Sequence, residues 1–263
     1  MWRNHRVAEA AFPRKFFRAW QFAHNMPYRK QAYRQLRHQV FISQAQQRIV
    51  ASQNDLSAVE QHVIYNPVPP QYIEQPLIAQ SSDAMLYVGT VEWYKGVGLL
   101  LEAFQAIVPQ FPNLKLKIVG DGADKNKYQE QAATAGLVDL IEFTGRIPWD
   151  QLMGVYDEAS VVVAPHIWAE PFGRTVVEAM ARGKVVVAAN HGGPAEIIQD
   201  GVTGVLFTAN QGDSLTDRLK ATLQLTEAQR SNIGQQAHNW VSGQLLPESI
   251  AAKHLAIYEK IIA

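Results

Sequence analysis

Two glutamates eight residues apart, Glu170 and Glu178, sit in the stretch AEPFGRTVVEAMARGK at positions 169–184. Pro171 and Gly173 place a helix start around 173–175, so Glu170 falls in the preceding loop and Glu178 in the first turns. The opening amides of such a helix lack intrahelical acceptors and carry the positive end of the dipole, which suits phosphate. Glycine there allows close approach. Glu178 points back toward the helix start. As a pure acceptor it repels phosphate but can grip two neighbouring hydroxyls, such as a ribose diol. Glu170 faces the same space and can hold further hydroxyls. A phosphate flanked by two diol-binding carboxylates describes a nucleotide sugar. Spacing alone fits equally well two acids that merely favour a helix N-terminus, and that reading stays open.

Other polar, glycine-bearing loops lie at 89–96 (GTVEWYKG), 120–122 (GDG), 145–147 (GRI), 165–173 (PHIWAEPFG) and 190–196 (NHGGPAE). They bring Lys95, Arg146 and His166 into the argument. A lone loop lysine is more often simply solvated, and His166 is open between a binding and a structural role. The HGG at 191–193 reads as a plain turn, with room for close backbone approach. There is no G-x-G-x-x-G after the first strand of this region and no G-x-x-x-x-G-K-[ST], which argues against dinucleotide and ATP use. No D-x-D pair and no His/Asp/Glu cluster with metal spacing is evident, and Asp121 and Asp124 read as solvated turn residues. No metal or other cofactor is expected beyond the sugar donor. A Ser-His-Asp arrangement lacks its nucleophile elbow.

The elements that must position these residues begin at 84. Apolar strands at 85–88, 114–119, 140–143, 161–164, 185–188 and 205–207 alternate with helices near 97–108, 125–135, 150–159 and 175–182. Continuous apolar strands alternating with helices imply an α/β, doubly wound parallel sheet covered on both faces. In such a sheet ligands bind beyond the carboxyl ends of the strands, where these loops fall. Upstream, two helices divided at Pro27 (13–38), strands at 40–42 and 63–65, and a helix at 44–53 opened by Ser43 are too little for an independent sheet domain. NPVPPQYIEQP at 66–76, with four prolines, reads as a linker. Helices at 213–225, 227–241 and 248–262 close the chain. The expected division is 1–75 as an incomplete domain with linker, 76–245 as a Rossmann-like domain, and 246–263 as a terminal helix.

The chain has 263 residues and no net charge, with 24 Lys+Arg against 24 Asp+Glu, yet the balance is uneven. Residues 1–40 carry nine basic side chains against one acid, Glu9, interleaved with aromatics such as Phe16, Trp20 and Tyr33. That segment fits either an amphipathic helix packed on a core or contact with an anionic membrane surface. The absence of cysteine excludes disulfides and thiolate chemistry. No signal peptide or membrane span is legible, so a cytoplasmic location is the expectation, with peripheral contact at the inner membrane face as the alternative that the basic segment leaves open.

Taken together, YVGTVEWYKGVGLLLEAF, LKIVGDG, IEFTGRI, VVVAPHIWAEPFGRTVVEAMARGK and HGGPAEIIQDGVTGVLF resemble the donor-binding domain of glycosyltransferase family 4, retaining enzymes of the GT-B fold. The resemblance covers residues 84–210. VFISQAQQRIV and VIYNPV are similar to the last strands of that family's acceptor domain, and ESIAAKHLAIYEKII to its crossover helix. The resemblance implies a hexose transferred from a UDP- or GDP-sugar to a glycan or lipid-linked acceptor, with no nucleic acid involved. It places Glu170 near the reacting sugar carbon as the catalytic candidate and Glu178 on the ribose. Phe172, Gly173, Arg174 and Thr175 form the loop that meets sugar and phosphate, Lys95 holds the diphosphate, and Ile147 contacts the base. The family's Gly-Arg after the first strand is here Gly89-Thr90, which leaves the diphosphate to Lys95 and Arg146.

The family also begins with a complete acceptor domain, most of which precedes anything matched here. Either the sequence is a fragment, or a partner chain or a second copy in a homo-oligomer supplies the missing part of the cleft. Two alternatives stay open: a nucleotide-sugar-binding module inactive without such a partner, and a nucleotide-sugar epimerase.

Overall fold

A computed structural model describes Tyr33, residues 35–78 and residues 84–262. The helices expected within 13–38, and most of the basic, aromatic segment at 1–40, lie outside that set. Among the described residues, no helix is long and apolar enough to cross a membrane. The chain forms two compact units: residues up to Phe41 together with Gln47–Val63, and Ile42–Gln46 together with Ile64–Ala263.

In the first unit, β1 (His38–Phe41) and β2 (Glu60–Val63) pair in parallel, with His38 opposite Glu60 and Val40 opposite His62. Phe41, Leu56 and Val59 make its small core. Both strands begin two to three residues earlier than the apolar runs at 40–42 and 63–65 imply. His38, Gln39, Glu60, Gln61 and His62 occupy them because ladder hydrogen bonds come from the backbone, whatever the side chains are.

Helix α1 (Gln44–Gln53) opens as expected at Ser43, whose hydroxyl accepts from the Gln46 amide at 2.9 Å and donates to the Pro171 carbonyl. The two preceding amides are held from far along the chain. Gln44 N–H and Ala45 N–H donate to the two carboxylate oxygens of Glu196 at 2.9 and 2.8 Å. An acid at a helix N-terminus opposes the positive end of the dipole.

The second unit is the doubly wound domain. After a single helical turn, α2 (Gln71–Glu74), strands β3 (Ala84–Val88), β4 (Lys115–Val119), β5 (Ile141–Gly145), β6 (Val161–Ala164), β7 (Val185–Ala189) and β8 (Val205–Phe207) form one parallel sheet ordered β5-β4-β3-β6-β7-β8. Helices α3 (Val97–Ile107), α4 (Lys125–Thr134), α5 (Trp149–Glu158), α6 (Arg174–Ala181) and the single turn α7 (Pro194–Ile197) follow successive strands. Helices α8 (Gly212–Gln224), α9 (Glu227–Gln244) and α10 (Pro247–Ile262) complete it. The linker reading of 66–76 missed α2, and α7 was not foreseen either. Proline cannot continue a helix but fits its first positions, and Pro70 and Pro194 start these turns.

Alternate strand residues feed opposite cores. Met85, Tyr87, Val161, Val163, Val185 and Val187 pack with α3 and α8. Leu86, Val162, Ala164, Val186 and Ala188 pack with α5, α6 and α9. On that second face Arg182, 1% exposed, ties the proline-rich segment down. Its guanidinium meets both Asp157 carboxylate oxygens at 2.8 and 3.1 Å and donates to the carbonyls of Tyr72, Gln75 and Pro76.

The order of strand addition reverses between β3 and β6, which marks the topological switch point. These two strands pair only at Met85–Val161 and Leu86–Val162. Beyond Leu86 they diverge, and their carboxyl ends open a crevice.

Candidate functional site

Two cavities occupy that crevice and share Val88 and Gly89 at the end of β3. One, of about 340 Å³, is lined by Lys95, His166, Trp168, Glu170 and the run Phe172, Gly173, Arg174, Thr175. The other, of about 280 Å³, is lined by Thr90, Arg146 and Ile147. Every residue expected at the site lines one of them except Glu178. A further cavity of about 390 Å³ lies at the opposite ends of β3 and β4, away from the loops that follow the strands.

The 89–96 and 165–173 loops are stitched together by the Tyr94 carbonyl, which accepts from the amides of Ile167 and Trp168. This brings Lys95 Nζ within 2.5 Å of Glu170 Oε2. The same oxygen accepts from the Trp168 indole at 3.1 Å and lies 3.8 Å from His166 Nε2. Lys95 also sits 5.2 Å from the centre of the Trp168 ring, within cation–π range. Phe172, 2% exposed, turns into the core beside Tyr65 and anchors the loop. Its contribution to the site is therefore backbone.

Helix α6 begins at Gly173, whose φ of 92° is left-handed and favours glycine. The first amides of α6 have no side-chain cap and, at this position, no intrahelical acceptor. They open on the larger cavity with Arg174 and Thr175. Glu178 is 4% exposed, one turn further in. The Tyr156 hydroxyl donates to its Oε2 at 3.0 Å and Arg174 to its Oε1 at 3.2 Å. Desolvation raises the Glu178 carboxyl above its ordinary value, against the pull of Tyr156 and Arg174. Burial, helped by the nearby Glu178 charge, likewise pushes the Tyr156 phenol up.

A family model described as "Glycosyl transferases group 1" matches residues 70–240, more than half of the chain. The chain belongs to the group 1 glycosyltransferases. It is 32% identical over 199 residues to a lipopolysaccharide 1,2-N-acetylglucosaminetransferase of Salmonella typhimurium, covering 72% of this chain and 51% of that protein. It is 34% identical over 155 residues to a phosphatidyl-myo-inositol mannosyltransferase of Mycobacterium leprae, covering 59% and 40%. The chain thus spans at most about half the length of these relatives. In fold it matches the crystal structure of Anabaena HepE in complex with UDP-glucose, with a TM-score of 0.78 at 23% identity over 90% of this chain and 68% of that one. The fold is GT-B in type, and the described parallel sheet is one such half.

What this group 1 glycosyltransferase chain adds to the sequence reading is structural support for the glutamate loop. The HGG stretch is more than a turn. The Gly193 amide donates to the Glu170 carbonyl at 2.7 Å. A Cβ at Gly193 would lie 2.4 Å from the Phe172 carbonyl oxygen, and one at Gly192 2.4 Å from the Glu170 carbonyl oxygen. Gly193→Ala is expected to push the 170–173 loop out of register and weaken ligand binding about tenfold, at the scale of 1.4 kcal/mol. Calorimetry with UDP- and GDP-sugars as probes checks this. Trp168 and Tyr156 were also missed, the first visible only as an aromatic in a polar loop. Asp124, read as solvated, accepts from the Trp93 amide at 2.7 Å and so helps shape the Lys95 loop.

His166 is 5% exposed, and its carbonyl accepts from His191 Nε2 at 2.9 Å. Burial pushes its imidazole from 6.5 down to about 4, with Lys95 and His191 adding to the shift and Glu170 opposing it. The unfolded chain takes up this proton near pH 6.5 and the folded site only near 4. Stability from the neutral ring is therefore complete above 6.5 and is lost as pH falls toward 4, by about 3 kcal/mol in total. Urea unfolding at pH 7 and pH 4 should show His166→Gln losing less between the two than the parent chain does.

Proposed function

We propose that this chain is the donor-binding part of a retaining, family 4 type glycosyltransferase that transfers a hexose from a UDP- or GDP-sugar to an acceptor hydroxyl. The observation that carries the proposal is the pairing of two carboxylates and two cations around an uncapped helix start at the switch point. Donor entry would exchange partners at both pairs. Lys95 leaves Glu170, and Arg174, whose side chain is 67% exposed, leaves Glu178. Both cations turn to the diphosphate, joined by the α6 amides and by Arg146. The freed carboxylates turn to hydroxyls, Glu170 to those of the sugar and Glu178 to those of the ribose, with the base over Ile147. Leaving-group charge is then met by preorganised donors, with no metal required. The family resemblance supports same-face displacement at the sugar carbon, with Glu170 nearest to it. The names of two relatives, a lipopolysaccharide N-acetylglucosaminetransferase and a phosphatidyl-myo-inositol mannosyltransferase, support a glycan or lipid-linked acceptor.

Thermal shift with UDP-, GDP- and ADP-sugars tests the reading. A donor at a hundred times its Kd adds about 2.7 kcal/mol, a rise of several degrees. A UDP- or GDP-sugar should produce it, and no shift with any donor overturns the proposal. A second reading is a nucleotide-sugar-binding module that turns over only with a partner. Multiple turnovers onto an added acceptor by the chain alone would exclude it.

A further inference from the structure

The β1–β2 pair carries a second constellation that plays no part in the donor site. His38 on β1 lies opposite Glu60 on β2, and His62 follows Glu60 by two residues on the same strand face. Their polar atoms converge. His38 Nδ1 and His62 Nε2 are 3.4 Å apart, His38 Nδ1 and Glu60 Oε2 3.6 Å, and His62 Nε2 and Glu60 Oε1 3.6 Å. The two rings are nearly parallel, 15° apart. Both imidazoles are mostly shielded, with side-chain exposures of 23% and 19%, while Glu60 keeps 41% and leaves an approach from solvent. These are the only three among the described residues whose His, Asp or Glu ligand atoms gather in this way.

The distances can be compared with those of a ligand set. Ligands 2.0–2.1 Å from a zinc ion in tetrahedral array are separated from each other by about 3.4 Å. The His–His edge is 3.4 Å, each imidazole lies 3.6 Å from a different oxygen of Glu60, and one ligand atom from each of the three residues gathers within 4.8 Å. Two imidazoles and one carboxylate suit the borderline first-row ions, zinc foremost, and do not suit calcium or magnesium, which take oxygen. We propose that His38, Glu60 and His62 form a binding site for a divalent transition ion, with zinc as the natural occupant and a fourth position left to water. Ligation needs His38 to carry its proton on Nε2 and His62 on Nδ1, so that both facing nitrogens present lone pairs. The ion replaces the proton that the facing nitrogens otherwise share, and it ties two four-residue strands that have no other sheet neighbour among the described residues. The expectation of no metal cluster drawn from the sequence is amended accordingly. The signal was present as Glu-x-His on one strand, but its third ligand lies 24 residues from His62 and only parallel pairing brings it in.

Zinc titration of the full chain by calorimetry, after stripping with a chelator, tests the site. One ion per chain is expected. His62→Gln and Glu60→Gln should each cost about a hundredfold or more in affinity, since even outer partners of metal ligands cost ten- to a hundredfold. His254→Gln, on α10, should cost nothing. Cobalt substitution should give the strong visible absorption of a four-coordinate N/O site in the parent and lose it in both variants. Circular dichroism of the stripped variants separates lost ligation from lost folding. No saturable binding to the parent, or equal binding by folded His62→Gln, would overturn the site and leave a hydrogen-bonded histidine pair.

Discussion

Glu178→Gln is expected to weaken nucleotide-sugar binding about a hundredfold while leaving the folded chain no less stable at pH 8. Binding suffers because an amide offers one acceptor oxygen without charge where a diol needs two charged ones. Each charge-assisted hydrogen bond is worth about 1.5–3 kcal/mol, so two weakened bonds reach that scale. Stability does not suffer, because the carboxylate is held at a cost. Desolvation raises its folded value above the 4.5 of an ordinary glutamate. The stability this group supports is complete below the unfolded value and declines as pH rises through the folded one. Glutamine cannot ionise, so its advantage over glutamate should grow from pH 5 to pH 8. Its oxygen still accepts from Tyr156. Calorimetry for affinity and thermal unfolding at the two pH values read the two halves separately. Unchanged affinity removes Glu178 from donor binding, and a variant that loses stability as pH rises contradicts the desolvation argument.

The second large effect concerns stability. Arg182→Ala should cost about 3–5 kcal/mol, the usual result of breaking a buried ion pair from one side. The removed guanidinium leaves Asp157 without its partner and three carbonyls, those of Tyr72, Gln75 and Pro76, without a donor. Lys184 cannot take over. Its ammonium is already committed to the Asp157 carbonyl, and burial lowers it to about 8. The proline-rich segment should loosen along with α2, whose Tyr72 ring packs edge-on against Tyr156 at 6.1 Å. A fall in Tm of about 10 °C is the expected reading. Arg174→Ala, which removes an exposed arginine with one bond to Glu178, should change Tm little. Equal shifts for the two would show that burial at Arg182 carries no special weight.

The sheet was legible because its strands are buried on both faces and so read as continuous apolar runs, VVVA twice over. The edges of that logic show where it failed. β1 and β2 are half-exposed and polar, so apolar runs located them two or three residues late and hid the ligands they align. Pro70 read as a break because proline ends helices, although it begins them equally well, and the loop reading of 190–196 hid the turn that Pro194 starts. At the site, Lys95, Arg146, Glu170 and the Gly173 loop follow from loops placed at strand ends. The ion pairs Lys95–Glu170 and Arg174–Glu178 do not, since charge partners depend on how loops fold back. Nor could burial of Glu178 be foreseen, because Tyr156 reaches it from a helix 22 residues earlier.

The clasp of Glu196 on the first amides of α1 has a temporal meaning. A chain made from its amino end exposes Gln44 long before its acceptor exists, since 152 residues separate the two. At about 5–20 residues per second, the first two amides of that helix wait roughly ten seconds or more for this acceptor, with only Ser43 capping the turn locally. Emergence of the Gly-Gly loop thus fixes two things at once, the shape of the glutamate loop it presses upon and the opening turn of a helix synthesised far earlier.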